Sequence, residues 1–349
     1  MDSKLLELVD LKKWQTIQDY FAAVIGSGVR VISPDGTPLT PLSRPHKYCY
    51  EVISSSSIAF KKCKDCLALS PQPYSQETLL VERENFLDTP HNIYYDCCPF
   101  YANRILIPIR LSSETIAGYI VVGPIVLGKR RTYSEYFNLS KLLELDVTAV
   151  IEAVETLRVF SFQSIQSVVH LIQEVANYII QMKALKQPES NSGTTLSEEL
   201  YIRKILNALF DSASNCVQAE RASLMLLDNR SETLSIEISK GIPEHIVRDT
   251  RLRVGEGVSG WAAKEQKVVS IDSRFAQERL MLRLHQPQLK AALIVPIKKG
   301  KNVFGVLNLS TSNKDHKFNR KNNNSIIQLA DFVGGVFSSI SAISNEALT

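Results

Sequence analysis

The chain has 349 residues, 44% of them hydrophobic and 22% charged, with 40 basic against 36 acidic side chains and a net charge of +4. That balance excludes wholesale disorder and the fibrous classes, and the length suggests about two domains of roughly 150 residues, either able to bury its own core. Met1-Asp2-Ser3-Lys4 runs into interleaved apolar and charged residues, not into the unbroken apolar stretch of a secretory signal. The most apolar segment, Ile116 to Leu127, is too short to cross a bilayer and is broken by Gly118, Gly123 and Pro124. A cytoplasmic location is expected.

In chain order, an amphipathic helix pattern runs from Leu5 through Ile17, Phe21 and Val24 and stops at Gly26-Ser27-Gly28. Val29 to Ile32 reads as a strand closed by the turn Pro34-Asp35-Gly36, and further strands are expected at Asn92–Tyr95, Ile105–Ile109 and Ile116–Val122. From about Asp146 to Lys186 the pattern is helical almost throughout. Ile165, Val168, Ile172, Val175, Ile179 and Met182 make a short a/d seam there, suited either to a partner helix or to the chain's own domains. Gln187 to Thr194 is a polar linker containing Pro188 and Gly193. Thr195-Leu196-Ser197-Glu198 has the capping-box form and opens a helix to about Val217. Strands are predicted at Arg221–Leu227 and Thr233–Ile238. A hairpin follows, Ala291–Ile297 and Val303–Leu309 about Gly300-Lys301-Asn302. A last helix from near Asn319 carries Ile326, Leu329, Val333, Val336, Ile340 and Ile343 at heptad spacing.

Five of the six cysteines, Cys49, Cys63, Cys66, Cys97 and Cys98, lie within fifty residues. In a reducing cytosol that clustering favours metal or thiol chemistry over structural disulfides. Cys63-x-x-Cys66 suits Zn²⁺ or an iron–sulfur cluster, and Lys61, Lys62 and Lys64 beside it favour thiolates. Adjacent strand residues face opposite ways, so the simplest four-thiolate set is Cys49, Cys63, Cys66 and Cys97, with Cys98 as a spare or alternative ligand unless the chain turns at Pro99. A bound metal or cluster, a redox-active Cys63/Cys66 dithiol and plain packing cysteines stay open. His46 and His91 lie nearby but are left out of the core set.

Residues 4 to 130 resemble a PocR-type sensory domain. The points of agreement are Leu8-Val9-Asp10-Leu11 through Phe21, Val29 to Thr40 with its Asp-Gly turn, Cys49, Cys63, Tyr95-Asp96-Cys97, and Gly118 to Gly123. The resemblance implies sensing of a small molecule, such as a simple hydrocarbon derivative, on behalf of a regulator or kinase. Where the family often has Cys-His, this chain has Cys97-Cys98, which puts a His-containing metal site in doubt.

The second half resembles a GAF domain. Arg221 to Asp228 looks like its first strand, Gly255-Glu256-Gly257-Val258-Ser259-Gly260-Trp261 like its glycine-rich turn, and Ala292 to Ile297 with Phe304 to Leu309 like its last hairpin. This implies an α/β module able to enclose a small-molecule pocket, with Trp261 and Phe275 as pocket or core aromatics. Members that bind cyclic nucleotides carry Asn-Lys, Phe and Asp-Glu. Here Asn313-Lys314, Phe318 and Asn322-Asn323 stand in those places, so the acidic pair is missing. Cys216 is expected to be buried, not to hold a chromophore.

No enzyme motif survives inspection. His170 is followed by Leu171 and lacks the acidic neighbour and nearby Pro of a kinase phosphoacceptor, and no glycine-rich ATP boxes occur. No Gly-x-Ser-x-Gly elbow or HExxH is present either. Lys298 to Lys321 holds seven Lys or Arg against one Asp, a local net of +6. Without a helix-turn-helix or interleaved aromatics this reads as a solvated hairpin and loop, and nucleic acid is not an expected partner. The expectation is therefore an α+β chain of two PAS/GAF-like sensor domains with antiparallel sheets: 1–145 PocR-like, 146–196 a connecting helix and linker, 197–349 GAF. It would be non-catalytic and homodimeric through its two seams, signalling through a downstream regulator or kinase. A thiol-based redox protein using Cys63 and Cys66 is the alternative.

Overall fold

A computed structural model describes residues 9–63, 93–111, 115–184, 194–272, 291–312 and 320–346. The chain divides into two units, Met1–Glu198 and Glu199–Thr349, both of mixed helix and antiparallel sheet.

In the first unit α1 (Leu11–Ile25) is opened by Asp10, whose carboxylate accepts the Lys12 and Lys13 amides, and is ended by Gly26 at φ 70°. Trp14, Ile17, Gln18, Phe21 and Val24 form its buried face. Gln18 is buried because its amide is fully engaged. Nε2 shares its two hydrogens among the carbonyls of Val29 and Pro41, both at 2.9 Å, and Ser43 Oγ at 2.8 Å, while Oε1 accepts from Thr40 Oγ1 at 2.7 Å. That network ties α1 to β1 (Gly28–Ile32). The sheet continues with β2 (Tyr94–Cys97), β3 (Asn103–Arg110) and β4 (Ile116–Leu127) in the order β1-β4-β3-β2, all antiparallel. A Cβ on Gly28 would lie 2.7 Å from the Gly123 carbonyl, which explains a glycine where β1 meets β4.

A π-helical turn (Tyr48–Val52) and a 3₁₀ turn (Ile53–Ser55) lead into α2 (Ser57–Lys62), which Ser56 caps through the Ala59 amide. After β4 come α3 (Tyr133–Leu142), opened by a Thr132–Glu135 capping box, and α4 (Val147–Thr156), N-capped by Asp146. The stretch from about Asp146 to Lys186, expected to be helical almost throughout, is two helices, α4 and α5 (Phe162–Ala184), parted by β5 (Val159–Phe160), which pairs in parallel with β4. Local helical periodicity cannot register a two-residue strand whose partner lies over thirty residues away. Ile165, Val168, Ile172 and Val175 of the a/d seam are buried, and α5 packs on β3.

The helix α6 (Thr194–Val217) runs across the boundary into the second unit, which builds a six-stranded antiparallel sheet in the order β8-β7-β6-β11-β10-β9. Its strands are β6 (Arg221–Asp228), β7 (Thr233–Lys240), β8 (Arg251–Arg253), β9 (Val269–Asp272), β10 (Ala291–Lys299) and β11 (Asn302–Thr311). The helix α7 (Glu244–Asp249) precedes β8 and α8 (Gly257–Glu265) follows it. One sheet face, with Ala292, Ile294, Val306 and Met225, packs on Val258, Ala262 and Ala263 of α8. The other, with Leu293, Val295 and Ile297, is buried on the side where α9 (Arg320–Glu346) packs on β10. Gly334 lets α9 touch the strand: a Cβ there would meet the Lys298 carbonyl at 1.9 Å.

Pro108 and Pro296 sit inside strands where proline normally breaks a ladder. Pro108 lies beyond Leu106, the last residue that β3 pairs with β2, and Pro296 beyond Ile294, the last that β10 pairs with β9. Both prolines thus occupy stretches paired on one side only. The predicted linker (187–193 of it) and the Asn313-Lys314…Phe318 stretch lie outside the described residues, as do the side chains of the Thr195–Glu198 capping box.

Candidate functional sites

Two places gather chemistry, one in each unit. In the first, Cys49, Cys63 and Cys98 share one buried core with Tyr48, Phe100, Ala102, Tyr136 and Leu143. Three local devices bring the thiols there. The π-helical turn carries Cys49, whose amide donates to the His46 carbonyl at 3.1 Å. Cys63 closes α2, its amide shared between the carbonyls of Ala59 and Phe60. Cys98 begins a tight turn after β2, its amide donating to the Ala102 carbonyl at 2.7 Å, with Tyr101 at φ 62°. The thiols are 3%, 4% and 7% exposed, and none of the three is in a disulfide.

Tyr48, fully buried, stands among them and donates its hydroxyl to the Phe100 carbonyl at 2.6 Å. Burial pushes its phenol far above the ordinary tyrosine range, and Cys98, Tyr136, Cys49 and Cys63 add to the effect in that order. The phenol is therefore a neutral donor. The Tyr136 hydroxyl is buried in the same core, with the Arg131 backbone beside it.

Of the expected thiolate set, Cys49 and Cys63 lie together. Cys97 ends β2, Cys66 lies outside the described residues, and Cys98, expected as the spare, contributes the third thiol of the core. Among the described residues no group of three or more His, Cys, Asp or Glu side chains is arranged to hold a metal ion. The three core thiols do not by themselves fit a metal.

His46 accepts the Tyr48 amide at Nδ1 (3.2 Å) and has Nε2 3.4 Å from Thr156 Oγ1; burial holds its pKa below the usual histidine value. His91 and Lys64 lie outside the described residues, and Lys61 and Lys62 are exposed in the last turn of α2. His170 is partly buried on α5.

In the second unit a cavity of about 590 Å³ opens between the sheet, α8 and the 241–250 segment. Its apolar side is Met225, Ile236, Leu252, Val258 and Ile294. Its floor is polar, with Arg221 and Ser223 on β6 beside Ser310 and Asn308 on β11, each pair in register. Spacing by two places these residues on one face. Ser259 Oγ, in the first turn of α8, donates to Asn308 Oδ1 at 2.8 Å, and Asn308 Nδ2 donates to Ser223 Oγ at 3.1 Å. Gly257, at φ 61°, and Gly260, where a Cβ would lie 2.4 Å from the Arg253 carbonyl, allow the tight path into α8.

The sequence singled out neither Asn308 nor Ser223. Two polar residues facing one way, at i and i+2 on neighbouring strands among apolar ones, were the available signal. Trp261 packs partly buried against the α8 core, Phe275 lies outside the described residues, and Cys216, expected to be buried, is partly exposed. Asn323, in place of the family's acidic residue, donates to Ser270 Oγ at 3.3 Å.

A family model described as a sensory domain found in PocR matches residues 7–184, and a GAF-domain model matches 202–336. No curated protein matches. Among solved structures the chain is similar to the GAF domain of an Acinetobacter phosphoenolpyruvate-protein phosphotransferase, at 18% identity over 53% of this chain and 98% of that one, with a TM-score of 0.37. It is also similar to free methionine-R-sulfoxide reductase from Neisseria meningitidis in complex with its substrate (16% identity, 53% and 95% covered, TM-score 0.37). A third is a domain of a two-component sensor histidine kinase protein from Sinorhizobium meliloti 1021 (17%, 42% and 98%, 0.33).

Proposed function

Because the chain belongs to the PocR sensory-domain family and carries a GAF domain after it, we propose that it is a non-catalytic signal-transduction sensor that takes a small molecule in the second unit and hands the signal to a partner regulator or kinase. The observation that carries this reading is the cavity: about 590 Å³, apolar on its sides and polar on its floor, is the size and character of a small-molecule site. Narrowing it with Ala292→Phe tests the reading. Compounds that raise the unfolding midpoint of the native chain should lose that effect in the variant. Unchanged stabilisation would place the binding elsewhere and sink the reading.

A second input is favoured by the convergence of Cys49, Cys63 and Cys98 on Tyr48. In this reading Cys66 and Cys97 complete a thiolate set for zinc or an iron–sulfur cluster, which would supply a metal- or redox-dependent signal. Anaerobically purified protein should then contain stoichiometric zinc, or iron with visible absorbance, lost in Cys63→Ser. Metal-free protein of native stability would discard it. If instead the chain reduces a disulfide substrate through Cys63 and Cys66, the thiol-redox alternative holds.

No helix among the described residues is long and apolar enough to cross a membrane, and we place the protein in the cytoplasm. It acts as a homodimer in this proposal. Ile165, Val168, Ile172 and Val175 of α5 and Ile326, Leu329, Val333 and Val336 of α9 are already buried in the single chain, with Ile179 half-buried, so the dimer would use mainly other surfaces. Sedimentation at a single chain mass would remove that part.

A further inference from the structure

The hydrogen-bonding capacity of the cavity floor selects among ligand classes. Asn308 spends Oδ1 on accepting the Ser259 hydroxyl and one Nδ2 hydrogen on Ser223. Ser223 accepts that bond, so its own hydroxyl hydrogen is unspent although the residue is only 6% exposed. The second amide hydrogen of Asn308 is likewise left over. Arg221, two residues from Ser223 on the same face, adds a fork of donors and has no acceptor. Ser310 directs its hydroxyl to the Arg221 carbonyl at 3.4 Å. Glu256, the acidic residue among the described lining, spends Oε2 on the Arg253 amide at 2.9 Å. The balance on the floor is a surplus of donors beside one cation, next to an apolar chamber.

We propose that the cavity takes a small organic anion with an apolar body, its carboxylate seated on Arg221, Ser223 and Asn308 and its hydrocarbon among Met225, Ile236 and Ile294. This rests on the cavity being a ligand site. An acceptor head satisfies the buried Ser223 hydroxyl, whereas an ammonium at that place would meet the donors of Ser223 and Asn308 and the like charge of Arg221, leaving Glu256 as the one charged acceptor in the described lining. A purely apolar ligand would leave the floor unsatisfied.

The test is calorimetric titration of the full chain with three probes of one shape: biphenyl-4-acetate, 2-(biphenyl-4-yl)ethanol and 2-(biphenyl-4-yl)ethylamine. The carboxylate should bind at least about tenfold more tightly than the amine. Arg221→Gln should weaken it about fivefold, the guanidinium being solvent-exposed, and leave the alcohol unchanged. Ser223→Ala, which keeps the strand, should weaken the carboxylate by a similar factor. If the alcohol or the amine binds as well as the carboxylate, or if Arg221→Gln leaves the preference intact, the anion class is wrong and the cavity stands. If none of the three binds at millimolar concentration, both the class and the cavity reading fall.

Discussion

The two units bury polar chemistry in opposite ways. In the first, Tyr48 and three thiols are packed among Phe100, Ile53 and Val150 with a phenol–carbonyl bond sealed inside; a void described elsewhere in that unit, beside Trp14 and Ile180, measures about 10 Å³, room for one water at most. In the second, Ser223, Asn308 and Ser259 face a chamber of about 590 Å³. A sealed polar group has no replacement partner when its bond is cut, whereas one facing a chamber can turn to solvent or a ligand. The first arrangement specifies a structure, and the second leaves bonding capacity for something to occupy.

Truncation should separate the two regions most strongly. Phe100→Ala removes a side chain that is 1% exposed and should cost about 3–5 kcal/mol in the unfolding of the first unit, read from denaturant melts of that unit's transition. Next comes Tyr48→Phe, which strands the buried Phe100 carbonyl; about 1–3 kcal/mol should be lost. Ser259→Ala deletes a hydrogen bond of comparable length in the second unit, but the Asn308 oxygen it frees faces the chamber, so the loss should stay near 1 kcal/mol or less. Equal losses for Tyr48→Phe and Ser259→Ala would abolish the contrast.

The smallest effect concerns His46. Its folded pKa is held below the unfolded value by burial, so between those two values the unfolded chain binds more protons. Stability of the first unit is full above the unfolded value, near 6.5, and falls as pH drops from there towards the folded pKa. Partial exposure limits the loss to below about 1 kcal/mol. Melts at pH 7 and pH 5 should differ less in His46→Gln than in the native chain, and an unaltered difference would exclude His46 as the source.

The architecture was readable because its signals are local and repeated. The 3–4 spacing of Trp14, Ile17, Phe21 and Val24, the hairpin about Gly300, and the glycine-rich turn before α8 each declare themselves within ten residues or so. Features made by distant partners were not readable. β5 exists through its pairing with Val126 and Leu127, and the division between Cys97 and Cys98 depends on where β2 ends and the turn to Ala102 begins. Clustering of cysteines announced a thiol-rich place, but the tyrosine at its centre had no sequence signature, since Tyr48 and Phe100 meet across fifty-two positions. The cavity floor was illegible for a related reason: Asn308 and Ser223 look like ordinary strand polarity until β6 and β11 are laid side by side.

The outer strand β8 is three residues long, and Arg251 and Arg253, both exposed, flank its middle Leu252. Such an edge offers little backbone to an incoming chain and repels a like-charged copy of itself. Strand addition and fibril-like growth from the β8 side of the sheet are therefore disfavoured.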